Sequence, residues 1–361
     1  MYSITTRRFP ACAVFMVMAC AAVLYWLPGS GHETADAGNP IPVAEADKDQ
    51  IVTLVAANNV VAAVWGDGHI SAETIDNGRQ FGAIGTAAGR PIAASISQSE
   101  HARVALLTTE TGGADLAVYD VVAGTRLFHV DARGKEIIRL LGFSGDGSEL
   151  FWVNLQAEVV AADSATGETK WASSFANLFN GQLPAVKVMS DGSGFAISLI
   201  HSILCSSRRN EQIWKLSFPA ARHDIPPQPF VGDTLSMIDE STSEISTLRL
   251  DTGRTTCKCR IDGATVLAMS SDGRRCVISA KGSTRVLTLE TGATRSLESD
   301  PNSEFSFVEG DTKIIAVPQM TSVLQDAARN IAHFTRVSNK IRVFDSQDGH
   351  LVREEVLQRQ M

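Results

Sequence analysis

Two series of turns that interleave along the chain constrain its fold more than any other feature of the sequence. The first series combines an acidic or polar residue with a following glycine in all members but the fourth, and its members are marked by Asp76, Asp120, Asp163, Ser206, Asp251, Glu290 and Asp345. The steps between these positions are 44, 43, 43, 45, 39 and 55 residues. The second series falls between them, at Asn58, Ser99, Gly145, Asp191, Gly232, Asp272 and Gly310, and an apolar strand pattern follows each member.

Two series in constant phase, with a period near 44 and about four short strands in each unit, indicate a repeat architecture. We predict an all-β chain that forms a seven-bladed β-propeller of four-stranded antiparallel blades over residues 51–361. A β-sandwich also has short strands and frequent turns, but it does not require two turn series in phase over about 300 residues. A closed ring also covers the faces that a single blade leaves exposed.

One unit carries a fuller motif than the others. The segment 158–171 contains Ala161 and Asp163, then Thr166 and Gly167, and ends at Trp171. This pattern resembles the blade repeat of the pyrroloquinoline-quinone-type propellers, and the strands LAVYD at 116–120 and IRVFD at 341–345 are similar to a strand of WD-repeat propellers. The resemblance implies membership of that superfamily, and it does not imply an activity.

The N-terminus has the pattern of an export segment. Arg7 and Arg8 precede an uncharged run over residues 9–27, which approaches the ~20 residues needed to span a bilayer. We predict a hydrophobic helix within residues 1–30, either an uncleaved anchor or a cleaved signal peptide, and a tether over residues 31–50; acylation at Cys20 is a third alternative. Because the cationic flank stays in the cytoplasm, we expect the protein in the bacterial inner membrane facing the periplasm, or in the periplasm if cleaved.

Loop lengths indicate which face of the ring binds a partner. In a propeller the A–B and C–D turns share one face, and both turn series belong to that face. The B–C and D–A connections share the other, which we call the long-loop face, and it should carry the long segments 173–184, 218–228 and 319–339. Functional sites concentrate on long loops held by a rigid scaffold.

The segment 319–339 lies inside the last blade and has an apolar periodicity of its own. Its apolar residues recur at about helical spacing, at Val323, Leu324, Ala327, Ala328, Ile331 and Phe334, with Arg329 among the polar residues opposite. This pattern predicts a helical insertion. The helix would be a lid or a docking helix for a partner, or it would pack on the rim of the propeller.

Residue patterns for catalysis and metal binding are sparse. No two histidines have a spacing typical of a metal site, and we expect neither a metal nor another cofactor. His201, His223 and Asp224 fall on the long-loop face, where they would form a ligand or acid–base cluster or remain solvated loop residues. Cys257 and Cys259 would share one face of a strand, as a soft-metal or redox pair or as unpaired thiols.

The composition restricts the partners of the chain. Lys and Arg number 32 against 40 Asp and Glu, so the net charge is −8, which disfavours binding to nucleic acid. The principal hypothesis is a non-catalytic module, tethered by its N-terminal segment, that binds a protein or another ligand on the long-loop face through residues such as Val323, Leu324, Arg329 and Phe334. The alternatives are the propeller subunit of a quinone-dependent, amine-dehydrogenase-like periplasmic oxidoreductase and a propeller hydrolase. Fold alone does not decide between these hypotheses.

Overall fold

Short antiparallel strands make up nearly all of the regular structure. The computed structural model describes residues 51–357 except 88, 98, 100, 111–112, 132–136, 179–183, 200–201, 218–222, 225–232, 240–243, 262, 300–302, 309, 326–330 and 338–339. The described residues form 29 β-strands and one short 3₁₀ helix, Ala176–Leu178. The N-terminal helix and tether predicted over residues 1–50 lie outside the described residues.

The first four sheets follow one another along the chain. Blade 1 contains β1 (Ile51–Ala57), β2 (Val60–Trp65), β3 (His69–Thr74) and β4 (Gln80–Thr86). Blade 2 contains β5 (Arg90–Ile96), β6 (Arg103–Glu110), β7 (Gly113–Asp120) and β8 (Thr125–Asp131). Blade 3 contains β9 (Ile137–Phe143), β10 (Glu149–Asn154), β11 (Glu158–Asp163) and β12 (Thr169–Ser174). Blade 4 contains β13 (Ala185–Val188), β14 (Gly194–Leu199), β15 (Ser202–Ser207) and β16 (Gln212–Ser217).

Three further sheets complete the series. Blade 5 contains β17 (His223–Asp224), β18 (Thr234–Asp239), β19 (Glu244–Arg249) and β20 (Thr255–Arg260). Blade 6 contains β21 (Ala264–Met269), β22 (Arg275–Ala280), β23 (Ser283–Thr288) and β24 (Ala293–Leu297). Blade 7 contains β25 (Ser303–Val308), β26 (Lys313–Gln325), β27 (Ile331–Val337), β28 (Lys340–Asp345) and β29 (Leu351–Val356).

The strands of each blade pair in chain order, from the first, strand A, to the last, strand D. In blade 7 the order is β25, β26, β28 and β29, and β27 pairs only with β26. The first strands of neighbouring blades contact one another, including β1 with β5, β5 with β9 and β25 with β1. These strands therefore line a central channel, and the protein is a seven-bladed β-propeller of four-stranded antiparallel blades. The predicted seven-bladed propeller is confirmed.

The two turn series occupy the predicted positions, the first between strands C and D and the second between strands A and B. In the C–D turn of blade 3 the Asp163 carboxylate accepts hydrogen bonds from the backbone N–H groups of Ala165 (2.9 Å) and Thr166 (3.0 Å). Gly167 then adopts a φ of +76°, which an L-residue adopts only with strain. The acidic residue and the glycine recur along the sequence because one holds the turn and the other permits it.

A second repeated hydrogen bond ties strand C to strand B in every blade. The residue that follows strand C donates its backbone N–H to the carbonyl of the residue that precedes strand B. The seven donors are Ile75, Val121, Ser164, Arg208, Leu250, Leu289 and Ser346. The side chains at these seven positions differ from blade to blade, and the way in which each blade packs against the preceding blade differs with them.

Apolar side chains fill the spaces between neighbouring blades. At the junction of blades 7 and 1 no peptide link joins the two sheets, and a buried apolar cluster holds them together. Its members are Ile51, Leu54, Val61, Ala63, Trp65 and Ile75 from blade 1 and Val308, Ile315, Val317, Ile341, Val343 and Leu357 from blade 7 or its end. The described blade 7 takes all its strands from one continuous stretch of chain, as predicted.

The helix predicted over the insertion in blade 7 is wrong for the residues that the structure describes. Residues 319–325 belong to β26 and residues 331–337 to β27, and these strands pair from Gln319↔Val337 to Gln325↔Ile331; residues 326–330 lie outside the described residues. Because β26 already pairs with β25 and β28 before it reaches Gln319, the strand direction is set when the insertion begins. Thr321 lies opposite Thr335 in this pairing.

The connections around blade 5 also differ from the prediction. His223 and Asp224 form β17, the first strand of that blade, so the segment 218–228 is not one continuous loop. The A–B connection of blade 5 then runs from Asp224 to Thr234 and is longer than the A–B turns elsewhere in the ring. Turn residues alone did not show this, because a two-residue strand has no measurable alternation.

Candidate docking face

The long-loop face is distinguished by an irregularity that three consecutive blades share. In β1, β5 and β9 the pairing with the next strand skips a residue near the start of the strand, which is Val52, Ile92 and Ile138 respectively. Each skipped residue forms a β-bulge, which can redirect a side chain away from the regular face of the sheet. Strand A begins at the long-loop face, so the bulges lie at the mouth of the central channel on that face.

Two of the bulged side chains are exposed although they are large and apolar. Ile92 is 52% exposed and Ile138 is 37% exposed, whereas Val52 is half-buried against the core between blades 1 and 2. Leu155, in the B–C turn of blade 3, is 49% exposed. Asn154 pairs with Ile137, so Leu155 follows a residue that lies beside the start of β9. We call Val52, Ile92, Ile138 and Leu155 the apolar mouth.

The β26–β27 hairpin lies on the same face and next to the same part of the ring. It is inserted between strands B and C of blade 7, so it emerges where B–C connections emerge. The strand β27 also contacts β1, the strand that contains Val52. The prediction that the 319–339 insertion belongs to the long-loop face is therefore confirmed, although its secondary structure is different.

The residues singled out from the sequence are distributed over different parts of this face. Val323 and Leu324 lie in β26 and Phe334 lies in β27, so the structure brings these three into one hairpin. His223 and Asp224 lie in β17 and pair with Asp239 and Ile238 in a different blade. His201 and Arg329 lie outside the described residues.

Sequence reasoning missed the apolar mouth. The available signal is that an apolar residue or proline is followed at once by a second apolar residue near the start of the first strand of blades 1, 2 and 3, at 51–52, 91–92 and 137–138. Alternation along a strand assigns one of these residues to each side of the sheet. Only the register of the pairing shows that the second residue is bulged.

The opposite, short-turn face contains a groove between blades 5 and 6 with a volume of about 560 Å³. It is lined by Asp233, Thr234, Arg249, Thr256, Cys257, Ser271, Asp272, Arg274 and Glu290. Its polar groups are engaged within the fold. Asp233 accepts hydrogen bonds from the Ser190 N–H and hydroxyl, both at 2.6 Å, and the Ser271 hydroxyl donates to Asp311 at 2.5 Å.

The charged groups of this groove are similarly paired. Arg249 donates two hydrogen bonds to Asp251, at 2.9 and 2.5 Å, and this pair lowers the pKa of the Asp251 carboxyl. Arg274 lies 3.6 Å from the Glu290 carboxylate. Since a ligand would have to displace these partners, the groove does not offer a converging set of donors and acceptors of the kind that binding sites present.

Asp345, Asp348 and His350 are the described residues whose ligand atoms lie close enough together to hold a metal ion. The arrangement is explained by the C–D turn of blade 7. Asp345 accepts hydrogen bonds from the N–H groups of Gln347 and Asp348, and Asp348 accepts one from the His350 N–H. A hydrogen bond from the His350 ring to Asp348 raises the pKa of the imidazole. The same turn chemistry holds Asp163 in blade 3, so the cluster needs no ion.

The described cysteines Cys205, Cys257, Cys259 and Cys276 are free thiols. Three of them, Cys257, Cys259 and Cys276, belong to the core between blades 5 and 6. Burial raises the pKa of each of these three thiols, so the protonated, unreactive form is favoured.

Comparisons with known proteins identify the fold and no family. No protein-family model matches the chain, and no curated protein matches it. The computationally designed protein Ika8 matches with a TM-score of 0.53 and 15% identity, over 86% of this chain and 88% of the designed one. A variant of KlHsv2 with loop 6CD replaced by a Gly-Ser linker matches with a TM-score of 0.56 and 11% identity, over 86% of this chain and 98% of the other.

At these levels of identity the similarity concerns the propeller architecture alone. Within the described part of the chain, no helix has the length and hydropathy that crossing a membrane requires.

Proposed function

We propose that this protein is a non-catalytic binding module that docks a protein partner on its long-loop face, between the apolar mouth and the β26–β27 hairpin. The observation that carries the proposal is the coincidence of two departures from the repeat. Blades 2 and 3 expose bulged or turn apolar residues beside the bulged Val52 of blade 1, and among the described residues only blade 7 has an inserted hairpin, which contacts blade 1.

The chemistry of the apolar mouth favours a partner segment with apolar side chains. Ile92, Ile138 and Leu155 are all large, and none carries a polar group. Covering the exposed part of each side chain would contribute about 1 kcal/mol, since full burial of such a side chain contributes about 1.5–3 kcal/mol. The hairpin would form the other side of the docking surface, opposite the apolar mouth, and would supply additional backbone groups for recognition.

We further propose that the module acts outside the cytoplasm and belongs to the pyrroloquinoline-quinone-like and WD-repeat-like propellers. The support for export is the uncharged run over residues 9–27 behind Arg7 and Arg8. It is retained as an anchor or removed as a signal peptide. The support for the superfamily is the motif from Ala161 to Trp171, whose acidic residue and glycine shape the C–D turn of blade 3.

Site-specific photocrosslinking in the native host tests the docking face. A photoreactive phenylalanine analogue at position 92 or 138 should form an adduct with a protein partner. The matched control is position 122, because Val122 is 67% exposed but lies in the C–D turn of blade 2, on the opposite face. Equal adducts at 122 and 92, or none at 92 and 138, would contradict the proposal.

Shortening the hairpin tests its contribution separately. Residues 323–333 can be replaced by Asn-Gly, a two-residue hairpin turn, between Ser322 and Phe334, which lie opposite each other. We expect the variant to fold, because the insertion lies outside the four-stranded repeat, and to lose the adduct at position 92. An adduct with a small cysteine-rich subunit that carries a quinone would favour the oxidoreductase assembly instead.

A further inference from the structure

The junction between blades 7 and 1 contains polar contacts in addition to its apolar cluster. The Arg353 guanidinium, from the outermost strand of blade 7, donates a hydrogen bond of 2.8 Å to the Ile75 carbonyl in blade 1. Arg353 also forms an ion pair with Glu355 of its own strand. Gly78 of blade 1 packs so closely that a Cβ at that position would overlap the guanidinium. Arg353 is therefore held against blade 1.

A second carboxyl group faces this ion pair from blade 1. Glu73, in β3, is only 5% exposed and lies directly opposite Val61, a member of the apolar cluster, so its carboxyl group faces the same junction as Glu355 and interacts with it electrostatically. The described charged groups that act on Glu73 are Glu355 and Arg353, both from β29. Two carboxyl groups thus lie within electrostatic reach of one guanidinium, which is ion-paired with Glu355. Such a site accommodates one negative charge more readily than two, and a proton between the two carboxyl groups removes the second charge.

We propose that Glu73, Arg353 and Glu355 form a proton-operated latch at the junction of blades 7 and 1, which is tight when the carboxyl pair holds a proton and looser when it does not. The latch closes the same junction that brings β27 of blade 7 against β1 of blade 1. If the docking face has the function proposed above, the latch would regulate it by setting how firmly the hairpin is held beside the apolar mouth.

The direction of the effect follows from the environment of Glu73. Burial, together with the neighbouring Glu355, raises the pKa of Glu73 to about 7 from its usual value of 4.5. A proton therefore binds the closed junction more tightly than an opened one, in which Glu73 would titrate normally. The equilibrium for closing should weaken as the pH rises from about 4.5 to 7, and it should fall about 30-fold between pH 5.5 and pH 8.

Hydrogen exchange measured on the full chain tests the latch without a partner. The quantity is the protection factor of amides in β1 and β29 at pH 5.5 and pH 8, with amides of β10 and β11 in blade 3 as the internal reference. Wild-type protection at the junction should fall by about 30-fold relative to blade 3. The variant Glu73→Gln, which keeps a neutral hydrogen-bonding group, should retain high protection at both pH values.

The matched control is Glu354→Gln, because Glu354 is adjacent in the same strand but pairs with Lys340 and Arg342. It should show the wild-type pH dependence. If Glu73→Gln fails to fold, Glu355→Gln removes the other member of the carboxyl pair and should weaken the pH dependence, because Glu73 then stays buried but loses the neighbouring carboxyl group. A wild-type junction without pH dependence, or one whose pH dependence survives unchanged in both Glu73→Gln and Glu355→Gln, would overturn the latch.

A separate readout distinguishes the latch from the docking function. If the exchange data support the latch but position 92 gives no adduct at either pH, the latch stands and the docking face is wrong. If position 92 forms the adduct and its yield is the same at both pH values and in Glu73→Gln, the docking face stands and its regulation by the latch is wrong.

Discussion

Arg275 and Ser346 contact each other at the junction of blades 6 and 7. It should be possible to replace them together by the two residue types that occupy the equivalent positions at the junction of blades 5 and 6. Arg275 opens strand B of blade 6 and donates to the Ser346 hydroxyl at 2.5 Å and to the Asp311 carbonyl at 2.9 Å. Arg103 makes the equivalent contacts with Ser164 and the Gly147 carbonyl between blades 2 and 3. At the junction of blades 5 and 6 the same two positions hold Thr234 and a buried Leu289.

The single substitutions should each be costly. Arg275→Thr removes two hydrogen bonds from a charged donor and leaves their acceptors in a half-buried site, so it should lower the free energy of unfolding by about 3 kcal/mol. Ser346→Leu adds volume at a position with no exposed surface, beside the guanidinium, and should cost about 2 kcal/mol. In the double variant the leucine occupies the space that the guanidinium leaves. It should therefore cost only about 1 kcal/mol.

Urea unfolding followed by tryptophan fluorescence and by far-UV circular dichroism measures these free energies, provided that the two probes give the same transition. The coupling between the two positions should exceed about 2 kcal/mol, and a cycle of Arg103→Thr with Ser164→Leu should give a similar value. If the cost of the double variant equals the sum of the single costs within about 0.5 kcal/mol, the two residues do not act as a pair and the reasoning from repeat equivalence is refuted.

Two further predictions concern buried titratable groups. Burial lowers the pKa of Lys187 from 10.5 to about 7, so the unfolded chain binds more protons between these values and stability should rise with pH there, by at most about 1.4 kcal/mol per unit. Lys187→Met should abolish this slope in urea midpoints measured at pH 7.5 and 9.5, and an unchanged slope would show that Lys187 stays charged. Iodoacetamide at pH 8 should label the half-buried Cys259 before the buried Cys205 and Cys276; peptide mass spectrometry that finds Cys205 or Cys276 labelled first would contradict this order.

The propeller could be predicted from the sequence because its turns depend on interactions between residues that are close together in the chain. An aspartate such as Asp163 accepts hydrogen bonds from the backbone of its own turn, and a glycine such as Gly167 takes a conformation that other residues avoid. Both requirements act within a few residues, so the acidic residue and the glycine recur in the sequence at a nearly constant interval. The number of blades then follows from counting the turns.

The secondary structure of the insertion was not predictable in this way. The apolar residues from Val323 to Phe334 fit a helical stripe, but the conformation is decided by the ladder that β26 has already formed with β25 and β28. The apolar mouth was missed for a related reason. Ile92 and Ile138 are ordinary strand residues in the sequence, and their exposure depends on where the pairing with the neighbouring strand skips a residue.

The junction of blades 7 and 1 also determines when the molecule can be completed during its synthesis. Blade 1 ends at Thr86, but the blade that covers its apolar face ends at Val356, about 270 residues later. At about 5–20 residues per second, the ribosome needs roughly 15–50 s to supply that cover. During this interval Ile51, Leu54 and Val61 have no partner blade, so the nascent chain should require a chaperone to shield this face until the last blade emerges.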